Sequence, residues 1–547
     1  MMRLHQQFHD GRATAFSRVT TDDTLKRFPR QTGGLRILFV TAPIREWSFP
    51  NIIDLGKAYV AASAWMDGHD VRVLDLNAER GGPVENDDAF RRWTERRLEW
   101  ALDQHAPDVV CYGGIITQYS TIRRLIRLTR MLRPQAKIIL GGGIASCLPK
   151  FMAQRLPVDV VVQEEGEVTI SEVLERIELG TGFEGVRGTV FKQPTGQIVD
   201  NGLRPSVKAG PEGLDHLPWP LRALWAEETV YQKNPVGWLN IVSKWTDGAP
   251  RANTPRSTSL IMSRGCPYAA KACDFCYAAY NGTLYRLRSP AEIVDEMQWL
   301  VDHYGVRYLH FLDDLALTDY RWVLRFADEI IARKLDVLWG CTARTNIVAD
   351  DIARAKREGR PNFLERCHEA GMRLAGYGIE SGSPTILKSI DKSGQSVPKM
   401  EIAIAETKRV LGDDGVDTSW MIGAPGETEE TVRESVEFCK RTGLKPTCWF
   451  FVTSYPGTTF WQLALEKGLI RKAVDGVRGP ADDDIIEEYF LRLGEQGEMV
   501  RTNFSDLPDD EIEALARWAV AELNPQAARF REPHSGDLIR GATRADL

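Results

Sequence analysis

Two successive runs of buried strand alternating with helix constrain this chain more than any other feature of it. In the first, apolar segments at Leu35–Pro43, Gly68–Leu76, Asp108–Tyr112, Ala136–Leu140 and Val158–Val162 alternate with helical patterns near 55–66, 87–105 and 120–132. Gly68 marks the stop of the first of those helices. Strands separated by helices pair in parallel, so residues of about 31–205 predict a Rossmann-like, doubly wound parallel sheet. The second run begins at Ser259 and places strands at Ser259–Met262, Tyr308–Asp314, Val337–Arg344, Arg373–Ser381, Thr418–Glu427 and Thr447–Thr453. Helices are expected at 290–303, with Ser289 as N-cap and Pro290 in its first turn, at 320–333 and at 362–370. Six such units predict a partial (βα)6 barrel over 258–475.

The remaining segments read differently. Residues 1–30 are polar and unpatterned, a flexible lead-in. Residues 206–257, with Leu217-Pro-Trp-Pro220 and several further Trp, read as an irregular linker lying across the face between the two domains. Residues 476–547 read as a small helical C-terminal appendage, amphipathic around Asp509–Leu523, ending in an Arg- and Pro-rich tail.

In parallel α/β sheets, ligands bind beyond the carboxyl ends of the strands. In the first domain those ends are Thr41-Ala42-Pro43, Gly113–Gln118, Gly141-Gly142-Gly143 and Glu165-Gly166-Glu167. Glycines there let a broad, flat ligand approach the backbone. No Gly-x-Gly-x-x-Gly opens a helix after the first strand, which disfavours a dinucleotide. In the second domain the ends carry Asp313-Asp314, Arg344, Glu380-Ser381 and Ile422-Gly423. Asp313-Asp314 also suit the cap of the following helix, and Arg344 and Glu380 suit a pair with each other.

The first strand of the barrel runs straight into Cys266, Cys273 and Cys276, spaced Cys-x6-Cys-x2-Cys. Three thiolates so close in sequence can hold one metal centre. Three is an odd number for a structural zinc, which takes four ligands, and suits an iron–sulfur cubane with one open iron. A zinc loop borrowing Cys341 or His310 is the alternative. The other six cysteines are scattered in apolar surroundings and show no disulfide framework.

The trio, with Phe275 just before its last member, resembles the cluster loop of the radical S-adenosylmethionine (SAM) superfamily. The usual spacing there is Cys-x3-Cys-x2-Cys, so this loop is three residues longer, around Ala269–Lys271. The first domain resembles the cobalamin-binding domain that precedes the radical SAM core in one branch of that superfamily. The matches are Thr41 and Pro43, Thr117-Gln118, the turn at Gly142-Gly143 and Glu165-Gly166-Glu167. The resemblance implies a 4Fe-4S cluster on Cys266, Cys273 and Cys276, and SAM against the strand ends. There the backbone by Phe275 and Tyr277 meets adenine, Arg344 the carboxylate and Glu380 or Ser381 the ribose, while Ile422-Gly423 lets adenine stack and Asp313 joins the contacts. It implies cobalamin in the glycine-rich loops of the first domain. The Asp-x-His-x-x-Gly signature is absent, so the cobalt has no histidine ligand, and His69 reads as structural.

The activity so implied is methyl transfer. Reductive cleavage of SAM gives a 5′-deoxyadenosyl radical that abstracts hydrogen, and the substrate radical takes the methyl of methylcobalamin. The chain is similar within that branch to the phosphinothricin-type P-methyltransferases, whose acceptor is phosphorus, with Lys271, Arg286 and Arg288 available for an anionic phosphinate. A cobalamin-dependent cyclase or ring-rearranging enzyme, a vestigial or nucleotide-binding first domain, and a non-enzymatic corrinoid-binding or zinc-stabilised scaffold are the other readings. The expected partners are a small-molecule substrate and an external electron donor such as flavodoxin or ferredoxin.

Composition bounds the rest. The chain has 547 residues, 43% hydrophobic, with a net charge of −7, which offers no electrostatic footprint for nucleic acid. No apolar run approaches the ~20 residues that span a bilayer, and no apolar leader is seen, so a cytoplasmic protein without a membrane partner is expected.

Overall fold

The computed structural model describes residues 34–43, 53–80, 87–225, 256–277, 284–493 and 501–525. The lead-in at 1–30, the linker from residue 226 to 255 and the tail beyond 525 lie outside them.

The first domain is built on β1 (Arg36–Thr41), α1 (Leu55–Met66), β2 (Asp70–Asp75), α2 (Asp87–His105), β3 (Val109–Gly113), α3 (Tyr119–Leu132), β4 (Lys137–Gly141), α4 (Gly142–Cys147), α5 (Pro149–Arg155), β5 (Val160–Val162) and α6 (Glu167–Glu178). The five strands are parallel in the order β2-β1-β3-β4-β5. The inner strands β1, β3, β4 and β5 are largely apolar because helices cover both faces of the sheet, whereas the edge strand β2 carries Asp70, Arg72 and Asp75. The order reverses direction between β1 and β3, the switch point beyond which ligands of such sheets bind. Two strands not expected from the sequence follow, β6 (Thr189–Lys192) and β7 (Ile198–Asp200), extending the sheet as an antiparallel hairpin. Its turn at Pro194-Thr195-Gly196, with Gly196 at φ +90°, was the available signal.

The second domain opens with β8 (Arg256–Leu260), then a short antiparallel pair, β9 (Ser263–Arg264) and β10 (Arg286–Leu287), on either side of the cysteine loop. There follow α7 (Pro290–Tyr304), β11 (Val306–Phe311), α8 (Tyr320–Ala332), β12 (Leu338–Ala343), α9 (Thr345–Glu358), α10 (Phe363–Glu369), β13 (Met372–Glu380), α11 (Pro384–Ser389), α12 (Val397–Leu411), β14 (Val416–Ile422), α13 (Glu429–Thr442) and β15 (Phe450–Phe451). The six long-sheet strands are parallel and in sequence order, β8-β11-β12-β13-β14-β15, a curled half-barrel as predicted. Helices α9, α12 and α13 were not anticipated. Ser289 occupies the N-cap of α7, but its side chain makes no capping bond; its backbone N–H donates to Asp215 of the linker at 2.9 Å.

The two domains are continuous inside. One apolar core holds Leu38 and Val110 of the first sheet and Ile126 of α3 together with Ile386, Met421, Val452 and Phe460 of the barrel side. The C-terminal helices α14 (Thr459–Glu466), α15 (Leu469–Asp475) and α16 (Asp483–Arg492) complete this core. Phe490 packs edge-on against Tyr119 and Phe151 at 5.6 Å, and Glu487 receives Arg123 at 2.7 Å. The last helix, α17 (Asp509–Leu523), lies on α13, with Lys440 bonded to Glu522 at 2.8 Å. The described part of the linker also bridges the halves. Trp225 is fully buried against β1 and donates to Thr41 Oγ1 at 3.3 Å, whereas Trp219 donates to Glu292 of α7 at 2.9 Å. Between them Arg222 reaches Glu296 of α7 at 3.1 Å, and Glu296, 1% exposed, also pairs with Arg288 at 2.7 Å.

Candidate active site between two strand mouths

The carboxyl ends of both sheets point at one another. The turn after β5 sets Glu165 against Arg286 at 2.6 Å and Arg264 at 3.3 Å, and pairs Glu167 with Arg264. Arg264 and Arg286 are the two β9–β10 residues flanking the cysteine loop, and Arg264 also lies 5.1 Å over the Tyr59 ring of α1. At the far end of that loop Tyr277 donates its hydroxyl to Gly143 O at 2.9 Å. The cysteine loop is therefore held at both ends by the glycine- and glutamate-bearing turns of the first domain.

The loop starts from a fixed point. Asp313, beyond β11, accepts from Met262 N at 3.0 Å and from both the N–H and the hydroxyl of Ser263 at 2.5 Å. Burial pushes its carboxyl up to about 6 despite those donors. Asp313 was expected to touch SAM; its oxygens are instead engaged in pinning the turn that leads to Cys266. Nor do these aspartates cap the next helix, since Asp319 accepts from Trp322 N at 2.9 Å at the start of α8.

Cys266 and Cys276 are half-buried and Cys273 is nearly covered; none of the three is in a disulfide. Cys266 lies within electrostatic reach of Cys273 and Arg344. Among the described residues no three His, Cys, Asp or Glu side chains are gathered as a metal site. The zinc alternative gains no fourth ligand: Cys341 and His310 sit within β12 and β11, and burial pushes the imidazole of His310 down to about 3. Three cysteines on one loop at a barrel mouth, with Cys266 beside a cation, fit in kind and number the donor set of a cluster with one open position.

Arg344 follows β12 and is 7% exposed. It donates to Ser393 O at 2.6 Å and lies 3.8 Å over the ring of Tyr268, while its Nε–H has no acceptor. Among the described residues it has no carboxylate partner, and it does not pair with Glu380, which bonds Lys392 at 2.6 Å. A buried guanidinium without a counter-ion is costly unless an anion completes it. Glu380 sits in the left-handed region at φ +64°, a strained placement at the strand end. Two neighbours expected at SAM are taken up by the fold. Ser381 Oγ bonds Ser435 Oγ at 3.0 Å and accepts from Ser383 N at 3.1 Å, and Ile422 is a fully buried core side chain. Gly423 (φ +90°) accepts from Phe504 N at 2.9 Å, so the C-terminal segment runs along this strand end. Phe275 stands 5.7 Å from Lys392 Nζ, at the Glu380 side of the mouth.

The cradle in the first domain is shaped by absent side chains. A Cβ on Gly142 (φ +76°) would lie 3.0 Å from Gly114 N and O, and one on Gly143 would lie 3.5 Å from both Gly114 O and the Tyr277 ring. Beside it Ile115 is 48% exposed, and Thr117 Oγ1 is buried without a partner. A flat apolar ligand with a polar rim fits these features. Gln118 and the two glutamates do not face it as expected. Gln118 ties the loops together, donating to Ala42 O and Pro43 O at 2.9 and 2.8 Å and accepting from Ile115 N at 2.9 Å. Glu165 and Glu167 serve the arginines, Thr41 is buried under Trp225, and Gly166 packs beside Val60 of α1. Arg286 and Arg288, considered as phosphinate anchors, are buried and paired with Glu165 and Glu296; only Lys271 of the three is exposed. The two histidines of this domain, His69 and His105, lie at the opposite edge, His105 Nε2 being 3.3 Å from Ile37 O.

Sequence reasoning missed Tyr268, Asn346, Lys392 and Glu427. Glu427, after β14, accepts from Thr431 Oγ1 at 2.7 Å, and its other oxygen is buried and unpartnered. Burial raises its carboxyl from 4.5 to about 7. The folded chain thus binds this proton more tightly than the unfolded one. The corresponding stability is fully present below about pH 4.5 and is lost as pH rises through about 7. Glu427→Gln is expected to remove a fall in stability of roughly 3 kcal/mol between those limits, read from denaturation midpoints at about pH 5 and about pH 8.

Comparison with known proteins accords with this geometry. The B12 binding domain family matches residues 49–174 and the Radical SAM superfamily matches residues 260–461. The chain is 25% identical over 418 residues to the uncharacterized methyltransferase PH0819 of Pyrococcus horikoshii, covering 76% of this chain and 79% of that one. It is 24% identical over 445 residues to the cytidylyl-2-hydroxyethylphosphonate methyltransferase of Streptomyces wedmorensis, covering 76% and 78%. Its fold is similar to that of the radical SAM methyltransferase TsrM from Kitasatospora setae, solved with cobalamin and a 4Fe-4S cluster, at TM-score 0.63 and 19% identity over 89% of this chain and 91% of that one. A second similar fold is that of the cobalamin-dependent enzyme OxsB, at TM-score 0.57 and 15% identity, covering 80% and 56%. With a B12 binding domain set mouth to mouth against a radical SAM half-barrel, the chain belongs to the cobalamin-binding branch of the radical SAM superfamily.

Proposed function

We propose that this protein is a cobalamin-dependent radical SAM methyltransferase acting on a small specialised metabolite. The observation that carries the reading is the junction itself: the loop with Cys266, Cys273 and Cys276 is tied by Tyr277 and Arg264 to the glycine-rich cradle of the first domain. When bound, a reduced 4Fe-4S cluster supplies the electron that cleaves SAM, and methylcobalamin supplies the methyl group. The three thiols would hold the iron, and Arg344 would receive the SAM carboxylate on its unpaired Nε edge. Glu380, steadied by Lys392, would meet the ribose hydroxyls. Gly142, Gly143 and Thr117 would line the corrinoid site. The buried ion pairs between the mouths hold the reacting groups in register and keep water out of the junction, the part of catalysis that a protein of this kind supplies.

The acceptor we propose is an unactivated carbon or a phosphinate phosphorus, the latter in keeping with the phosphonate named for the Streptomyces relative. The test is anaerobic purification with iron, sulfide, cobalt and zinc analysis, followed by turnover of methyl-labelled SAM with candidate phosphinates and phosphonates. Iron and cobalt without zinc, and label in the product, are expected. Zinc in place of iron would remove the cluster assignment. Conversion of a substrate without incorporated label would transfer the reading to the cyclase class, to which the anaerobic magnesium-protoporphyrin IX monomethyl ester cyclase relatives belong.

A further inference from the structure

The three extra residues of the cysteine loop have a visible effect on the barrel. Ala269–Lys271 form one tight helical turn, closed by Ala269 N to Cys266 O and Lys271 N to Tyr268 O, both at 2.9 Å. That turn folds Tyr268 back onto the start of α9. Its ring lies 3.8 Å from the Arg344 guanidinium, and its hydroxyl accepts from Asn346 Nδ2 at 2.7 Å. Asn346 is itself buried, its Nδ2 3.0 Å from where a Cβ on Gly394 would stand, and its Oδ1 is unpartnered. One side chain of the loop thus contacts the plane of the unpaired cation and a residue two positions beyond it.

An arginine in water samples many rotamers, and ordering it costs free energy at the moment a ligand binds. An aromatic face under the guanidinium holds its plane beforehand and also favours the cation electrostatically. With Ser393 O fixing one nitrogen and Tyr268 fixing the plane, the Nε edge is left with no acceptor. We propose that Tyr268 is a positioning residue that sets Arg344 for the carboxylate of SAM, and that the lengthened cysteine spacing exists to deliver it. This rests on the assignment of Arg344 made above.

The test uses the full chain, reconstituted with its cluster, and measures SAM affinity at equilibrium together with the change in the electron paramagnetic resonance signal of the reduced cluster on adding SAM. Tyr268→Leu is expected to weaken SAM binding roughly 3- to 30-fold, with unchanged iron content. Tyr268→Phe and Tyr268→Trp, which keep an aromatic face, are expected to stay within about 3-fold of the native affinity. In an Arg344→Gln background Tyr268→Leu should add no further loss, because the pair acts as one. Native affinity in Tyr268→Leu beside a weakened Arg344→Gln would overturn the positioning role and leave Arg344 in place. Native affinity in Arg344→Gln would instead remove the carboxylate assignment itself. Should Tyr268→Leu take up no cluster, the Phe and Trp variants decide: a loss as large as that of Arg344→Gln in both would refute the stacking argument.

Discussion

Replacing Cys266, Cys273 and Cys276 together by Ala is expected to abolish SAM cleavage to 5′-deoxyadenosine and to leave the purified chain without cluster iron or sulfide. Cobalamin binding should persist. The reason lies in where the loop sits. It is anchored by Asp313 at its start, by the arginines of β9 and β10, and by Tyr277 at its end, none of which the substitutions touch. The thiols contribute little to packing, since two of the three are half-exposed, so the effect on stability should stay within about 1 kcal/mol. Cleavage of SAM surviving in this variant would sink the assignment of the loop. Loss of cobalamin together with the cluster would show that the two mouths fold only as a pair.

Glu296→Ala is expected to destabilise the chain by about 3–5 kcal/mol, the largest effect anticipated from any single substitution away from the cysteine loop. Glu296 pairs with both Arg222 of the linker and Arg288 after β10, and all three are nearly buried. Its removal takes away the carboxylate that both buried guanidinium groups touch, and the Arg288 cation, held above its usual range against burial by Tyr59, Glu296 and more weakly Glu292, loses much of that support. Because a buried ionic cluster contributes less than its breaking costs, replacing all three members by apolar residues of similar size should recover most of the loss. Calorimetric unfolding of native, single and triple variants checks both statements. A single-variant loss under about 1 kcal/mol would show that water reaches these arginines.

How much of this was legible in the sequence depends on what the residues face. The parallel strands announced themselves because both sides of each are covered, so Leu38–Val40 or Val109–Cys111 read as unbroken apolar runs. The strand-end positions of the cysteines, Arg344 and Glu380 followed from that reading. The partners did not. Glu165 and Glu167 read as cofactor contacts until the fold brought Arg264 and Arg286 against them, nearly a hundred or more residues away in the chain. Asp313 and Ser381 are polar residues at strand ends, and nothing local distinguishes one that faces a ligand from one that pins a turn. Helix α13 carries a capping box at Thr428 and an apolar stripe, and was readable; α9 begins directly after β12, without the loop residues that usually mark a boundary.

The apolar core that runs from β1 through Val452 to Phe490 has a consequence for how such an enzyme can diversify. A cut between the halves would bare greasy surface on both pieces, so neither is a module to be lent to another chain. A foreign corrinoid half grafted onto this barrel would meet it with mismatched knobs and hollows. New substrates must then be reached by remodelling the lips of the junction, while the seam behind them stays unaltered.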